Sequence, residues 1–328
     1  MPLETLEFEE PIAVLLKEIE ALTLLPRTDG RDREMDALGR RLESVRAEIY
    51  RSLTPWQRVQ VARHPNRPGL EDFIARLFTG FVEIHGDRRF ADDHTIMTGS
   101  AEYKGEPVLV VGHVKGKDTK EKIFRNFGYA RPEGYRKALR AMRLAEKFHR
   151  PVIVFVDTPA AFPGIESEER GVAEAIAVNL REMMLLDTSV IVIVSGEGGS
   201  GGALGIAVGD RVLMQEFAIY SVIPPEGCAS ILWRDQAKKV EAAAALKLTA
   251  PDLLKAAIID EIIPEPIGGA HTDPAAAARL VDDVLVRVLA EVSSLDSETR
   301  LGRRYDMFRS MGRLGIDFVD EGSPGSSS

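Results

Sequence analysis

The hydrophobic positions at the start of the chain recur with a helical period. Five of them fall on one face of a helix: Ile12, Leu15, Leu16, Ile19 and Leu22. After a turn at 28–30, a second series recurs at spacings of three and four: Met35, Leu38, Leu42, Val45 and Ile49. The two series predict a helical hairpin within residues 1–53, which either covers the core or grips another subunit.

The middle of the chain changes to the pattern of a sheet with crossover helices. Residues 96–103 and 107–113 read as a strand hairpin. Two short apolar runs, 152–156 and 190–194, are typical of strands buried on both faces. A helix predicted at 168–186 separates these two runs, so we expect the strands to pair in parallel.

The second apolar run leads into a glycine-rich stretch, Gly196-Glu-Gly-Gly-Ser-Gly-Gly202. Residues 204–208 behind it are predicted to be helical. A strand that passes through glycines to a helix N-terminus places several backbone N–H groups at one spot, with no side chain in the way. The stretch therefore predicts an anion-binding site.

Three anions are candidates for this site. A nucleotide phosphate is disfavoured because no lysine follows the glycines, as it would in a P-loop. Residues 198–202 formally satisfy G-x-S-x-G, the turn that exposes a nucleophilic serine. The second candidate is therefore the tetrahedral intermediate of a hydrolase that uses Ser200. The third candidate is an enolate or ureido oxyanion, which requires only backbone donors.

Composition narrows the class of protein. The 328 residues are 45% hydrophobic, enough for a large core. No apolar run approaches the roughly 20 residues of a membrane helix. The single cysteine, Cys228, excludes an intrachain disulfide and a cysteine-based zinc site, and it reads as an apolar filler. The net charge of −9 disfavours a general nucleic-acid surface. We expect a cytoplasmic protein with no metal of its own and no membrane contact.

A basic segment, 115–125, carries five lysine or arginine side chains, among them Lys115, Lys117 and Lys120. Charge runs of this kind are commonly solvated surface. The alternative is that they attract an anionic ligand, such as the phosphates of coenzyme A or an acidic carrier protein.

Four motifs, taken together and in order, resemble the alpha subunits of bacterial acetyl-CoA carboxylase carboxyltransferase. They are DTPAAFPG at 157–164, GEGGSGGA at 196–203, SVIPPEGCASILW at 221–233 and EPIGGAH at 265–271. The likeness extends over about residues 6–310. It implies an α/β fold of the crotonase-type ββα spiral over 54–293. The N-terminal helical hairpin would occupy 1–53, and a C-terminal helical segment with a disordered tail would occupy 294–328.

The resemblance implies two oxyanion holes, each presented by a loop. One would use the N–H groups of Gly201 and Gly202, and the other those of Ala160 and Ala161. The family usually has glycine where Ala160 stands and tyrosine where Phe162 stands, so the second loop departs from the pattern. The biotin side would be formed by Gly198, Gly199, Ser200, Phe162, Pro163 and Gly164.

The resemblance also implies the reaction. Carboxybiotin on a biotin carboxyl carrier protein would release CO2, the biotin ureido oxyanion would take a proton from acetyl-CoA, and the enolate would capture CO2 as malonyl-CoA for fatty acid synthesis. The alpha subunit would hold the biotin side. A beta subunit with a zinc ribbon would hold acetyl-CoA in an α2β2 assembly, with biotin carboxylase as a further partner.

Two other classes of function stay open at this point. One is a self-sufficient enzyme, either a crotonase-like hydratase or isomerase or a hydrolase that uses Ser200. The other is a non-catalytic scaffold subunit.

Overall fold

The computed structural model describes residues 5–312, and the predicted disordered tail lies outside them. Within this range the strands form one mixed sheet. They are β1 (Thr79–Glu83), β2 (Ile96–Tyr103), β3 (Glu106–His113), β4 (Val152–Thr158), β5 (Val190–Gly199), β6 (Arg211–Gln215), β7 (Ile219–Ser221) and β8 (Glu261–Ile263).

Helices precede the sheet, cover it and follow it. They are α1 (Glu10–Thr23), α2 (Asp29–Arg51), α3 (Pro55–Ala62), α4 (Leu70–Leu77), α5 (Thr119–Phe124), α6 (Pro132–Lys147), α7 (Ile165–Glu169), α8 (Val172–Leu185), α9 (Ser200–Leu204), α10 (Pro225–Trp233), α11 (Lys239–Leu246), α12 (Ala250–Lys255), α13 (Pro274–Ser293) and α14 (Ser297–Ser310). Short 3-10 turns lie at Glu7–Glu9, Asn126–Gly128 and Gln236–Lys238.

The sheet runs in the order β1-β2-β3-β4-β5-β6-β8, with β7 paired to the far end of β5. The predicted hairpin is confirmed, because β2 and β3 pair antiparallel from Ile96 opposite His113 to Tyr103 opposite Glu106. The predicted parallel pair is also confirmed, with Val152 opposite Val190 in β4 and β5. The ends of β4 and β5 therefore lie side by side at one edge of the sheet.

Both faces of the central strands are buried, which explains their nearly continuous apolar sequence. On one face, alternate residues such as Val154 and Val192 join a core with α6 and α8. On the other, Ile153 and Phe155 join a core with α4 and α13. The stacked rings of Phe73 and Phe155, 5.0 Å between centroids, fix α4 against the sheet.

The predicted N-terminal hairpin is present as α1 and α2. Thr28 is the N-cap of α2, its Oγ1 accepting from Arg31 N at 3.2 Å, so the turn precedes 28–30 rather than occupying it. Ile12 and Tyr50 are buried in one cluster with Phe217 of the main body. The hairpin thus covers the body, while its contact with another subunit and the proposed domain limits stay predictions.

Two predicted helices are wrong in their limits. The helix expected at 168–186 is two helices, because Gly171 takes a left-handed conformation (φ 76°) between α7 and α8. The helix expected at 204–208 instead spans Ser200–Leu204, and residues 206–208 are buried without being helical. A short apolar run does not distinguish a helix from a buried irregular segment.

Candidate active site

The glycine-rich stretch is the junction of β5 and α9. Gly196 to Gly199 continue β5, and α9 begins directly at Ser200. Ser200 has φ 53°, a left-handed conformation that an L-residue adopts only under constraint. As in any helix, the first four N–H groups, here those of the N-cap Gly199 and of residues 200–202, have no partner within the helix. The predicted donors of Gly201 and Gly202 belong to this set.

The loop after β4 presses directly against this junction. A Cβ added at Gly202 would lie 2.9 Å from Ala160 Cα and closer still to Ala161 N. A Cβ added at Gly199 would lie 2.7 Å from Thr158 O and closer still to Pro159 O. Both positions require glycine because backbone, which cannot swing aside, occupies the space. The two predicted donor pairs are therefore brought together.

Gly201 differs from its neighbours. A Cβ there would meet only Ile176 Cδ1, at 3.7 Å, which is ordinary van der Waals contact. Its outer side opens into an apolar cavity of about 380 Å³ that Ser200 also lines. Tyr220, Leu253 and Phe308 form part of the cavity wall. The donor face of α9 thus borders a space large enough for a small organic group.

The loop after β4 is anchored by its own hydrogen bonds. Thr158 Oγ1 donates to the Gly128 carbonyl at 2.6 Å, and Phe162 N donates to the Ala130 carbonyl at 2.9 Å. Within residues 5–312, Ala160 is not one of the non-glycine residues with a left-handed backbone. Alanine therefore fits where the family usually has glycine, and its N–H stays a possible donor.

The aromatic ring of the same loop also has a defined place. The guanidinium of Arg131 lies over the Phe162 ring, 5.0 Å from its centroid. A Cβ added at Gly164 would collide with the edge of that ring. Pro163 lies between these two residues. The ring of Phe162 is thus held against the loop without the hydroxyl that a tyrosine would carry.

Two buried side chains that the sequence did not single out hold α9 in place. Tyr135 Oη donates to the Gly202 carbonyl at 3.2 Å. Asn179 Nδ2 donates to the carbonyls of Tyr135 (2.9 Å) and Gly205 (2.8 Å). An asparagine on the apolar face of α8 was the available signal, because a buried amide needs partners.

His113, at the end of β3, lies behind α9 and is 1% exposed. Burial, then the charge of Lys115, lowers its pKa to about 3, while the Gly202 backbone acts weakly in the opposite sense. Neither ring nitrogen forms a hydrogen bond of good geometry within the described part of the chain, although the Gly202 backbone lies close enough to oppose the fall in pKa. With its pKa this low, His113 is a weak base, and no hydrogen bond joins it to Ser200 within residues 5–312, so the serine–histidine pair of a hydrolase is not formed.

A charged cluster lies on the other side of the junction. Lys115 Nζ is 2.6 Å from both Asp157 Oδ1 and Glu197 Oε2. Arg63 binds Glu197 and Glu226, each at 2.6 Å. Burial alone would raise the pKa of Glu197, but the charges of Lys115 and Arg63 lower it to about 2. The cluster ties the end of β4 to the end of β5.

The three lysines predicted to meet coenzyme A or the carrier are not equivalent. Lys115 is engaged inside the charged cluster, and the same carboxylates raise its pKa against the effect of burial. Lys117 is exposed and pairs with Asp72 at 2.7 Å, and Lys120 is exposed. Their contact with a ligand stays a prediction.

The remaining predicted site residue, Gly198, packs its backbone against Tyr220, whose Cδ2 would lie 2.6 Å from an added Cβ. Among residues 5–312, no group of three or more histidine, cysteine or acidic side chains is placed to hold a metal ion. No helix in that range is long and apolar enough to cross a membrane.

Comparison with known families decides among the open interpretations. A family model described as acetyl co-enzyme A carboxylase carboxyltransferase-like matches residues 5–312. The chain belongs to this family. The predicted function, that of a carboxyltransferase alpha subunit of acetyl-CoA carboxylase, is thereby confirmed.

Relatives of this carboxyltransferase match it over nearly their whole length. The acetyl-coenzyme A carboxylase carboxyl transferase subunit alpha of Geobacter metallireducens is 54% identical over 94% of this chain and 98% of its own. The protein of the same name from Halalkalibacterium halodurans is 52% identical over 94% and 96%. That from Vibrio atlanticus is 51% identical over 95% and 99%.

Solved structures share the fold at low identity. A transcarboxylase 12S crystal structure aligns with a TM-score of 0.54 and 20% identity, over 69% of this chain and 42% of that one. A Pseudomonas malonate decarboxylase hetero-tetramer in complex with coenzyme A aligns with a TM-score of 0.54 and 19% identity, over 68% and 89%. The predicted crotonase-type fold of this carboxyltransferase is confirmed.

Proposed function

We propose that this carboxyltransferase moves the carboxyl group from carboxybiotin, carried on a biotin carboxyl carrier protein, to acetyl-CoA and so forms malonyl-CoA. The observation that carries the proposal is the contact of Gly202 with Ala160 and Ala161. This close approach supports the proposal because two sets of backbone donors near each other would stabilise the charge that develops on oxygen during carboxyl transfer. Fixed N–H dipoles stabilise such charge without reorganising.

The roles of the chain's own groups follow from their places. The N–H groups of Gly201 and Gly202 would bind an oxyanion at the open end of α9, and those of Ala160 and Ala161 would bind one on the facing loop. Biotin, when bound, supplies the carboxyl group and the ureido oxygen that acts as base. The apolar cavity beside Ser200 and Gly201 suits a bicyclic ring that carries few charges.

The site holds donors but no free side-chain base among the residues described. Glu197 and Asp157 are bound by Lys115, and burial lowers the pKa of His113 to about 3, so its imidazole is a weak base. This supports a reaction whose base arrives with the cofactor. We therefore also propose that a beta subunit contributes the acetyl-CoA side in an α2β2 assembly, that biotin carboxylase completes the enzyme, and that the protein works in the cytoplasm.

The test of the donor site is Gly202→Ala in the complex reconstituted with the beta subunit. The added methyl collides with backbone at Ala160 and Ala161, so the donors must separate. We expect malonyl-CoA formation to fall by roughly 100-fold or more, as when one oxyanion donor is lost. The rate is followed by the transfer from carboxylated carrier to acetyl-CoA.

Gly201→Ala is the matched control, because it adds the same methyl to the same helix without a collision. It should keep at least a third of the wild-type rate, a range that rests on the retained N–H donors. Equal rates for the two variants, with both complexes folded, would contradict the donor site. Turnover of acetyl-CoA by the purified chain alone would contradict the shared active site.

A further inference from the structure

A second cavity, about 490 Å³ in volume, lies on the outer side of α6 and α8. We call it the arginine pocket. Only two acidic side chains, Asp87 and Glu174, line it, although the chain as a whole carries a net charge of −9. Six arginines line it: Arg88, Arg89, Arg136, Arg140, Arg143 and Arg181.

Some of these arginines already pair with carboxylates of the same chain. Arg136 binds Asp87 at 2.8 Å and Glu133 at 3.1 Å. Arg143 and Arg181 share one carboxylate, that of Glu182, at 2.7 and 2.6 Å. These pairs hold the guanidinium groups at the wall of the pocket, and Arg143 and Arg181, which share one carboxylate, retain a net positive charge.

The other three arginines lack a carboxylate partner among the described residues. Arg88 and Arg89 are exposed, and neither guanidinium pairs with a carboxylate within residues 5–312. Arg140 donates to the carbonyls of His85 at 2.9 Å and Gly86 at 2.8 Å. Carbonyl oxygens orient a guanidinium but do not cancel its charge. Three guanidinium groups without a carboxylate partner among the described residues thus line the pocket.

Asn179 supplies an independent sign of a ligand. It lines the pocket and is 1% exposed, and both bonds of its Nδ2 go to carbonyls behind the pocket. Its Oδ1 is buried with no partner within the described residues. A buried acceptor without a donor is rare in native proteins and calls for an explanation. A ligand that presents both negative oxygens and a hydroxyl would satisfy the guanidinium groups and the amide together.

We propose that the arginine pocket binds a phosphate-bearing small anion. Guanidinium forks match phosphate oxygens in pairs, and a cavity of this volume holds a small ligand. The site is separate from the oxyanion donors. Tyr135 and Ile176 turn one face of α6 and α8 toward α9, whereas Arg136 and Val178 turn the other face to the pocket.

Two sources could supply the phosphate, namely the 3′-phosphate of coenzyme A or a free phosphoanion. The first source rests on the proposed function, because it assumes that the protein meets acetyl-CoA. The second does not. Binding is measured on the full chain, without turnover, so its failure is distinguishable from failure of the transfer reaction.

The experiment is calorimetric titration at physiological ionic strength with three probes: inorganic pyrophosphate, coenzyme A and dephospho-coenzyme A. Wild type should bind pyrophosphate saturably at one site. The double variant Arg88→Gln/Arg89→Gln should bind it at least tenfold more weakly. Arg33→Gln/Arg41→Gln is the control, because it removes the same charge from exposed positions of α2.

The outcomes separate clearly. Coenzyme A that binds tenfold more tightly than its dephospho form, and competes with pyrophosphate, identifies the 3′-phosphate as the source. Equal binding of the two coenzyme forms, with pyrophosphate binding still dependent on Arg88 and Arg89, identifies a free phosphoanion. No pyrophosphate binding by wild type at millimolar concentration, or equal loss in the α2 control, would overturn the proposal.

Discussion

The two segments that form the candidate active site reach it by opposite means. The end of β5 supplies glycines, and at Gly199 and Gly202 any side chain would strike backbone. The loop after β4 supplies alanines, Ala160 and Ala161, whose backbone is not left-handed. Because glycines at the end of β5 have no side chain, the backbone of the loop after β4 can approach them closely.

This difference shows where a glycine carries a structural requirement and where it does not. At Gly199 and Gly202 the requirement is space, and at the neighbouring Gly201 neither space nor φ demands glycine. Position 160, where the family usually has glycine, resembles Gly201, because its backbone is not left-handed and does not require glycine. A motif rich in glycine therefore contains positions of very unequal importance.

The largest effect is expected at Gly199. The variant Gly199→Ala places a methyl against Pro159 O and Thr158 O, which belong to the strand end itself. Overpacking against backbone costs about 1–3 kcal/mol or more. We expect thermal unfolding several degrees lower and malonyl-CoA formation reduced by roughly 100-fold, because the donors of both loops move. Wild-type rate and melting would show that the segments do not press together as described.

Glu197→Gln tests the ionic link between the two segments. The folded pKa of Glu197, about 2, lies below its ordinary value of 4.5. Its contribution to stability is therefore present above pH 4.5 and is lost as the pH falls toward 2. The shift corresponds to about 3 kcal/mol. Urea unfolding at pH 7 should show a loss of that order in the variant, and the difference from wild type should shrink as the pH falls below 4.5.

The exposed pair of Lys238 and Glu241 provides the control for this measurement. Glu241→Gln removes an equal charge from a solvent-exposed helix, where ion pairs contribute little. It should leave the free energy of unfolding nearly unchanged at pH 7. If Glu197→Gln behaves like Glu241→Gln, the buried cluster does not hold β4 to β5.

Much of the fold was predictable because its signals are local. Two apolar runs flanking a crossover helix fixed the parallel pair of β4 and β5, and the glycines after β5 indicated an anion site. The limits of α9 were not predictable, since residues 206–208 are apolar because they are buried and not because they form a helix. Gly171, a single left-handed residue, divided a helical pattern that looks continuous in sequence.

The parts of the site that the sequence did not reveal are long-range contacts. Tyr135 and Asn179 come from different helices, and only the packing of α6 on α8 brings both to α9. The basic segment, 115–125, shows a second limit of prediction from sequence. Its lysines look alike in sequence, yet Lys115 is engaged by two carboxylates while Lys120 is exposed. A run of charged residues in the sequence does not indicate which side chain is buried in the fold.

A smaller effect is expected at Ser200, which lies between Gly199, where space requires glycine, and Gly201, where it does not. It has the left-handed backbone of a nucleophile elbow, but within residues 5–312 no hydrogen bond joins it to a histidine, and the buried His113 is a weak base. Ser200→Ala keeps the same backbone strain and should change malonyl-CoA formation by about threefold at most. Loss of a true serine nucleophile lowers kcat by roughly 10⁶-fold in a serine protease, so a collapse of malonyl-CoA formation would mean that the Ser200 hydroxyl takes a direct part in the transfer.

The smallest effect is expected on the alanine side, where Ala160→Gly removes a half-buried methyl that belongs to none of the core clusters of the described residues. Glycine adds freedom to the unfolded chain, which costs about 0.4–1 kcal/mol, and it leaves the N–H donor in place. Activity should stay within about twofold of wild type and the melting temperature should fall slightly. The reverse pattern, with Ala160→Gly severe and Gly199→Ala mild, would mean that the β4 loop, and not the end of β5, sets the position of the donors. Unfolding curves and initial rates of the two variants, measured on the same complex, decide between these arrangements.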